Sequence, residues 1–299
     1  MISIQSNNKV LGATVTGVDL QKPLAKQDFI HLLKGLGQYG VLCFPNQIIN
    51  AKELKEFSQN FGGLHTLSAT KFYEPGLPEV TILSNIKINS QPIGAADAGQ
   101  FWHTDMAYNK TVGFVNVLSA EQVPTRHGIS LGATEFVNTH LAYEELSEPL
   151  KSKLADAIAI HDLNKSWEQS RKDRNSNRPP LTEAQRRDYP PVEHPVFMTH
   201  PITQKKVIYV TPSYTEFIKG MDADESQVIL HSLIDHILNP KYRYTHHWTV
   251  NDVLMWDHLG TWHNAISDYR PDESRLMKRC QVIADRIFDP AFLKENLSS

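Results

Sequence analysis

The sequence predicts a mainly β protein of the α+β type, folded as a double-stranded β-helix (a cupin-like jelly roll) with flanking helices packed outside. Many short strand-like segments alternate with a few helical ones along the 299 residues. Residues 35–40 spell G-x-G-x-x-G, but they end the predicted helix 26–39 and do not join a strand to a helix, and no P-loop occurs, so a doubly wound nucleotide-binding sheet has no support. The residues with metal-binding potential are remote along the chain, and a jelly roll allows them to meet inside the barrel.

The composition is that of an ordinary globular protein, with 40% hydrophobic and 21% charged residues and a net charge of −3. A general nucleic-acid binder shows a basic excess, so nucleic acid is not an expected partner. No apolar signal core and no span-length apolar stretch is visible, so we expect no membrane association. Cys43 and Cys280 lie in apolar strand-like segments, which indicates core residues without a disulfide and favours a cytoplasmic protein.

Local patterns predict the elements in order. Strands are expected where short apolar runs end at Gly or Pro, and helices where apolar residues recur three or four positions apart. The predicted strands are 12–18, 41–44, 80–83, 114–118, 206–210, 252–255 and 276–283. The predicted helices are 26–39, 52–61, 142–160 and 224–238. We expect one domain over residues 1–299.

A polar segment, 165–191, is rich in Arg, Asn and Pro and predicts a long loop. Such a loop in a compact domain is usually functional, so we interpret it as a lid over a binding site. A solvated loop without function is the alternative. The cations that a lid would use to draw in an anion are Lys165, Arg171, Lys172, Arg174 and Arg178.

The triplet His103-Thr104-Asp105 is the strongest local signal. In a strand, residues two apart point to the same face, so His103 and Asp105 can bind one ion together. An isolated H-x-D is more often a local polar pair, but His263 supplies a second imidazole far downstream. Two imidazoles and one carboxylate leave metal positions open, which suits non-haem Fe(II) and its O₂ reactions.

Three segments, 100–108, 132–136 and 256–279, belong together. In content and order they resemble the family of taurine dioxygenase and 2,4-dichlorophenoxyacetate dioxygenase (TauD/TfdA), which are Fe(II)/2-oxoglutarate-dependent enzymes. The resemblance extends from Gly12 to Arg279. It implies a soluble hydroxylase that uses Fe(II), 2-oxoglutarate and O₂ and forms succinate and CO₂.

The resemblance also implies that His103, Asp105 and His263 are the iron ligands and therefore catalytic. His246 and His247 are nearby competitors, but the frame Thr-x-His-x-Ala selects His263. His258 either orients a ligand or caps a turn.

By the same resemblance, Thr134 binds the carboxylate of 2-oxoglutarate and Arg275 binds its distal carboxylate. The segment before Gly132 is longer than the usual family turn, so Thr125 or Ser130 could replace Thr134. Arg279 matches an arginine that contacts an anionic prime substrate. In a strand, positions 275 and 279 share one face, and a guanidinium presents a planar fork that fits a carboxylate or sulfonate.

The expected substrate is a small organic anion: a sulfonate, a sulfate ester, or an aryloxy- or other carboxylate. Taurine itself is doubtful, because Leu67 and Thr70 stand where taurine-type members carry His and Tyr. Leu67, Tyr108 and Phe197 would form an apolar wall, and Thr70 completes the predicted substrate contacts.

The carboxylate of Asp105 favours hydroxylation, because halogenating relatives lack it. A Zn-dependent hydrolase using the same three ligands and a non-catalytic jelly-roll binding protein are the alternatives. A homo-oligomer, dimer or tetramer, is compatible with the sequence.

Overall fold

A computed structural model of the chain describes residues 2–66, 71–173 and 179–297. Leu67, Thr70, Arg174 and Arg178 therefore lie outside the described residues. The helices are α1 Lys26–Tyr39, α2 Ala51–Gln59, α3 Thr139–Glu144, α4 Glu148–Leu154, α5 Leu163–Asp173, α6 Glu183–Asp188, α7 Ala223–Ile237 and α8 Pro290–Leu297, with a 3₁₀ turn at Pro240–Tyr242.

The strands are β1 Ser3–Ser6, β2 Ala13–Thr16, β3 Val41–Phe44, β4 Tyr73–Glu74, β5 Leu77–Ser84, β6 Lys87–Ile88, β7 Gln91–Pro92, β8 Gly113–Gln122, β9 Thr125–Arg126, β10 Ile129–Ser130, β11 Thr134–Asn138, β12 Ile158–His161, β13 Val192–Pro195, β14 Phe197–Thr199, β15 Lys206–Ile208, β16 Thr215–Ile218, β17 Arg243–His246, β18 Val253–Asp257, β19 Thr261–Ala265 and β20 Leu276–Ile283.

Two sheets form the centre of the molecule. The major sheet has the order β1-β2-β3-β18-β8-β20-β5-β4, and the minor sheet has the order β17-β11-β19. Neighbouring strands are antiparallel except for β2 and β3. A third sheet, β13-β12-β16, is flanked in the sequence by residues that line the cavity described below.

The inner faces of the major and minor sheets pack on each other. Leu118, Leu254 and Met277 of the major sheet share one buried cluster with Phe136 of the minor sheet. The rings of Phe136 and Trp256 meet edge to face at 5.5 Å. Burying a large apolar side chain stabilises the fold by about 1.5–3 kcal/mol, so this cluster holds the two sheets together.

Helices cover the outer face of each sheet. Leu32, Leu33 and Leu36 of α1 are fully buried against the major sheet. This helix ends where Gly40 adopts a left-handed φ of 67° and donates its N–H to the carbonyl of Leu36, a conformation that glycine adopts at little cost. On the minor sheet, Trp262 packs with residues of α7.

Several sequence predictions are confirmed to the residue, namely the helix 26–39 and the strands 41–44 and 276–283. The predicted helix 142–160 is wrong. It divides into α3, α4 and the strand β12, because Pro149 lies in the first turn of a new helix and Ile158–His161 pairs with β13 and β16.

The polar segment 165–191 also differs from the predicted loop. Its first part continues α5 and a later part forms α6, which Thr182 and Gln185 begin with a reciprocal capping box. Trp167 is buried and donates its indole N–H to the carbonyl of Pro179 at 2.8 Å. One buried aromatic residue thus links α5 to the chain at Pro179.

Cys280 is buried and Cys43 is half-buried, and both are free thiols, as predicted. In the described part of the chain, none of the helices combines the length and apolar composition that crossing a bilayer requires.

Candidate active site

The backbone brings His103 and His263 side by side. The two residues form an isolated antiparallel bridge: the N–H of His103 donates to the carbonyl of His263 at 3.1 Å, and the N–H of His263 donates back at 2.8 Å. His263 lies in β19, opposite Phe136 of β11. His103 is therefore in a single bridge and not in the regular strand that the sequence predicted, yet its ring centroid lies 4.1 Å from that of His263.

Asp105 completes a buried set of three ligand atoms. Its Oδ1 lies 3.4 Å from His103 Nε2 and its Oδ2 lies 3.6 Å from His263 Nε2. The three offered atoms all lie within 4.8 Å of one another, and each residue is only 5% exposed. The sequence-predicted trio is thus brought together in the structure.

The donor set fits a ferrous ion. His103 Nδ1 lies 2.6 Å from the carbonyl of Phe101, so Nδ1–H donates there and the lone pair of Nε2 faces Asp105. Two neutral imidazoles and one carboxylate are a common ligand set for non-haem Fe(II). A cation at this position also provides the counter-charge that the buried carboxylate needs.

Asp105 lies in a turn. One contact of its own side chain and one of the neighbouring Thr104 hold this turn in place. Asn116 of β8, fully buried, donates its amide to Asp105 Oδ2 at 2.7 Å. The hydroxyl of Thr104 donates to the carbonyl of His258. Met106, directly after Asp105, has a φ of 62°, which turns the chain sharply behind the carboxylate.

His258 lies beside the trio and is not one of its members. It is fully buried, its Nε2 lies 3.7 Å from Asp105 Oδ2, and its ring stacks on that of His263 at 6.4 Å. Burial lowers its pKa to about 4, so it is neutral near pH 7. Within the described residues neither of its ring nitrogens has a hydrogen-bond partner, so its side chain does not cap a turn.

Charges around the trio keep Asp105 ionised. Burial opposes ionisation, but Arg279 and His103 outweigh it and hold the pKa of Asp105 well below its usual range. Arg279 Nη1 lies 3.5 Å from Asp105 Oδ2. Burial, followed by the neighbouring His103, holds the pKa of His263 well below its usual value. The site therefore offers a carboxylate anion beside the neutral imidazole of His263, as metal binding requires.

Arg275 lies directly before β20 and is 7% exposed. Its guanidinium lies over the ring of Tyr269 at 5.9 Å, and burial lowers its pKa. Gly132 packs so closely that a Cβ there would lie 3.0 Å from Arg275 Nε. That Nε has no hydrogen-bond partner among the described residues.

Thr134 lies on β11 opposite Ala265 and is 3% exposed. Its hydroxyl accepts the indole N–H of Trp248 at 3.0 Å. Of the two alternatives, Thr125 is exposed and Ser130 is half-buried, and both belong to the small hairpin β9–β10. Thr134 is therefore the one of the three that lies in the buried ladder beside the strand of His263.

A cavity of about 820 Å³ opens over the trio. His103, Asp105 and Arg279 contribute to its floor, and Tyr108 and Tyr214 to its wall, with their rings 4.9 Å apart. The segment α5 supplies Leu163, Ser166, Trp167 and Ser170, and Pro179 and Gln185 follow from the chain beyond it.

Three other predicted contacts turn away from this cavity. Lys165 donates to the carbonyl of Thr215, and Arg171 pairs with Glu168 at 2.7 Å. Phe197 does not line the cavity, because it is buried against Tyr143 with ring centroids 5.0 Å apart.

Sequence reasoning missed several residues of the site. Asn116 could have been found, because a lone amide within the apolar run 113–118 needs a buried partner. Trp167 could also have been found, because a lone large aromatic residue in a polar segment indicates a buried contact. Tyr214 and Trp248 carry no pattern that separates them from ordinary core aromatics.

Comparisons with known proteins agree with this geometry. Residues 4–281 match the family model described as Taurine catabolism dioxygenase TauD, TfdA family. Pentalenolactone F synthase of Streptomyces arenae is 30% identical over 287 residues, covering 94% of both chains. The alpha-ketoglutarate-dependent 2,4-dichlorophenoxyacetate dioxygenase of Cupriavidus pinatubonensis is 25% identical over 289 residues, covering 93% of this chain and 96% of that protein.

The crystal structure of AAD-2 in complex with Mn(II) and N-oxalylglycine superposes with a TM-score of 0.78 at 25% identity. The match covers 95% of this chain and 98% of that one.

Proposed function

This chain belongs to the taurine catabolism dioxygenase TauD, TfdA family, and from that premise we propose that it hydroxylates a C–H bond of a small organic anion. Members of the family are Fe(II)-, 2-oxoglutarate- and O₂-dependent dioxygenases, so the chain is an oxidoreductase of that class. The coproducts are succinate and CO₂. The proposed fold is the double-stranded β-helix, formed by the major and minor sheets.

One observation carries the proposal: three ligand atoms from His103, Asp105 and His263 converge within 4.8 Å, and His103 and Asp105 line the floor of a cavity. These residues hold the ferrous ion, and Asn116 fixes the carboxylate among them. The bound ion, with 2-oxoglutarate, supplies O₂ activation and the oxidising equivalent. The protein orients the reactants and excludes water through the buried walls of the cavity.

Arg275 and Thr134 hold 2-oxoglutarate in this proposal. A buried guanidinium is costly unless an anion pairs with it, and the distal carboxylate of 2-oxoglutarate provides that anion. The nitrogen of Arg275 that lacks a partner among the described residues supports this role. The hydroxyl of Thr134 accepts from Trp248 and so keeps its own proton available for a carboxylate oxygen.

Arg279 binds the anionic group of the prime substrate. Its side chain faces the cavity and already pairs with Asp105, so the positive potential lies beside the metal position. The aromatic wall of Tyr108, Trp167 and Tyr214 favours a substrate with an apolar body larger than that of taurine. Sulfonates, sulfate esters and aryloxy- or other carboxylates have this character. Leu67 and Thr70 stay predictions as substrate contacts.

We further propose that residues 1–299 form one domain and that the segment 165–191, of which 174–178 lie outside the described residues, acts as a lid over the cavity. Trp167 and Gln185 line the cavity from this segment. Protection of the segment from protease on adding substrate would support closure, and unchanged cleavage would contradict it.

The decisive experiment is a panel of sulfonates, sulfate esters, phenoxy acids and amino acids, scored by succinate formation. His103→Ala and Asp105→Ala should each abolish turnover, whereas His231→Ala, on the exposed side of α7, should not. Full activity in either ligand variant would reject the assignment. Release of labelled CO₂ from 2-oxoglutarate separates this enzyme from a Zn hydrolase, which would release none.

A further inference from the structure

A second group of metal-ligating side chains lies between the same two sheets. Cys43 of β3, His246 at the end of β17 and Asp252 before β18 converge, and the three atoms they offer lie within 4.8 Å of one another. None of these residues belongs to the trio described above.

Strand register places this group well away from the catalytic trio. Cys43 pairs with Leu254, Leu254 with Leu118, and Leu118 with Arg279, so Cys43 and Arg279 lie in one row across the major sheet. Three strand spacings separate their backbones, which is about 14 Å. The apolar cluster around Leu118 and Leu254 fills the space between the two groups.

One pair of the proposed ligand atoms has the separation that a shared cation imposes. His246 Nε2 lies 3.4 Å from Asp252 Oδ2, at poor hydrogen-bonding geometry. Nitrogen and oxygen ligands of a tetrahedral zinc ion lie about 3.3 Å apart, given metal–ligand bonds of about 2.0–2.2 Å. Asp252 is also held in place, because its Oδ2 accepts the N–H of Thr249 at 2.9 Å.

His246 is the residue that points to a missing partner. It is 7% exposed, and its Nε2 has no hydrogen-bond partner among the described residues. A buried imidazole nitrogen without a partner is unusual and needs an explanation. On the other side of the ring, Nδ1 lies 3.4 Å from the hydroxyl of Tyr244, which can accept Nδ1–H and leave the lone pair of Nε2 facing Asp252.

We propose that Cys43, His246 and Asp252 form a second metal site, which takes Zn²⁺ in addition to the ferrous ion of the catalytic trio. A thiolate, an imidazole and a carboxylate are all ligands that Zn²⁺ accepts, and a water molecule completes the tetrahedron. Cys43 is only half-buried, so an ion has a route to the site. Bound there, the ion joins β3 of the major sheet to β17 of the minor sheet.

His200 shows what a satisfied imidazole looks like. It donates from Nε2 to Asp257 Oδ2 at 3.1 Å, and its Nδ1 accepts the N–H groups of Ile202 and Thr203 at 3.2 Å each. Its ring therefore has no lone pair free for a metal. His246 differs from His200 because its Nε2 has no hydrogen-bond partner among the described residues.

Cobalt(II) is the probe for the test, because a thiolate ligand gives it a strong near-ultraviolet charge-transfer absorption. The catalytic trio contains no sulfur, so this band reports the proposed site alone. We expect the band in the wild type, its loss in Cys43→Ser, and its retention in the matched control Cys280→Ser. No band in the wild type, or a band that survives Cys43→Ser, would overturn the proposal.

A second measurement needs no variant, in case Cys43→Ser does not fold. Zn²⁺ should compete away the cobalt band, and wild type already loaded with Fe(II) should retain a second equivalent of metal as zinc after desalting. Metal analysis by mass spectrometry counts both ions. A cobalt band that Zn²⁺ does not displace, or a protein that retains no zinc, would contradict the site.

Discussion

Asn116 donates its side-chain amide to Oδ2 of Asp105 at 2.7 Å, from a buried position in the central strand β8. The two residues belong to different segments, and the amide is the nearest uncharged donor to the metal-facing carboxylate. Asn116 therefore sets the rotation of the carboxyl group before any ion arrives. A ligand that is oriented in advance binds metal more tightly than one that must be ordered on binding.

Asn116→Ala should weaken Fe(II) binding, because Asp105 loses this orienting bond. The expected change in dissociation constant is about 10–100-fold, the usual effect of removing a partner of a metal ligand. Calorimetric titration under anaerobic conditions measures it. Asn60→Ala, which removes a side-chain amide bonded to the carbonyl of Phe57 at the end of α2, is the matched control. Equal affinity in the two variants would show that Asn116 has no orienting role.

Gly113→Ala should disturb the site through His258. A Cβ at position 113 would lie 2.2 Å from His258 Nδ1, so the ring must move, and its Nε2 lies only 3.7 Å from Asp105 Oδ2. Overpacking of this kind costs about 1–3 kcal/mol of unfolding free energy. Metal affinity and turnover should fall as well, which thermal melts and succinate assays measure.

Gly220→Ala is the control for that experiment. Gly220 has a φ of 76° with open space around its Cβ direction, so alanine there costs about 1–2 kcal/mol through backbone strain alone. Stability should fall in both variants but metal affinity only in Gly113→Ala. A loss of metal affinity in both would mean that general destabilisation, and not the ring of His258, is responsible.

Arg275→Lys should raise the KM for 2-oxoglutarate while changing the KM for the prime substrate little. Lysine keeps the charge but loses the planar fork, and one lost hydrogen bond to a charged group costs about 1.5–3 kcal/mol, or about 10–100-fold. Arg243→Lys, at the surface against the carbonyl of Leu238, is the matched control. Arg279→Lys should instead raise the KM for the prime substrate, and identical effects at 275 and 279 would refute the division of roles.

The stability of the fold should fall on acidification through His161. This residue is fully buried on β12, and burial, followed by the neighbouring His194, lowers its pKa from 6.5 to about 3. Between pH 6.5 and about pH 3 the unfolded chain binds a proton at His161 that the folded chain excludes. The contribution of His161 to the free energy of unfolding is therefore fully present above pH 6.5 and is lost as the pH falls. The loss is about 1.4 kcal/mol per pH unit.

Urea unfolding across that window measures the slope for the wild type and for His161→Gln. The slope should be shallower in the variant, whereas His231→Gln should follow the wild type. A variant slope equal to that of the wild type would mean that other groups dominate acid unfolding.

Local sequence patterns were enough to predict strands of the main sheets and the helix that packs on the major sheet. The helix 26–39 shows a clear apolar period and ends at Gly40, and the strand 276–283 is long and apolar enough to be unambiguous. The helix predicted over 142–160 failed because apolar spacing alone cannot show that Pro149 starts a new helix or that Ile158 joins a sheet. Those outcomes depend on partners that are distant in the sequence.

The convergence of His103, Asp105 and His263 could be predicted because their residue types and order are distinctive, even though His103 lies in an isolated bridge and not in a regular strand. The structure adds what spacing cannot contain, namely that His258 lies 3.7 Å from Asp105 and that Asn116 bonds to it. These contacts join segments that are remote in the sequence, and no local pattern in either segment predicts them. The same holds for the contact between Cys43 and His246.

The walls and the floor of the cavity come from different parts of the fold. Trp167 lies in α5 and Tyr214 directly before β16, whereas the proposed ligands come from β19, from the bridge beside it and from the turn that holds Asp105. Libraries that randomise residues 163–170 together with position 214 should therefore alter which molecules are admitted and leave iron binding intact. Related enzymes can diverge in substrate by the same route, through changes in one helix and one neighbouring position.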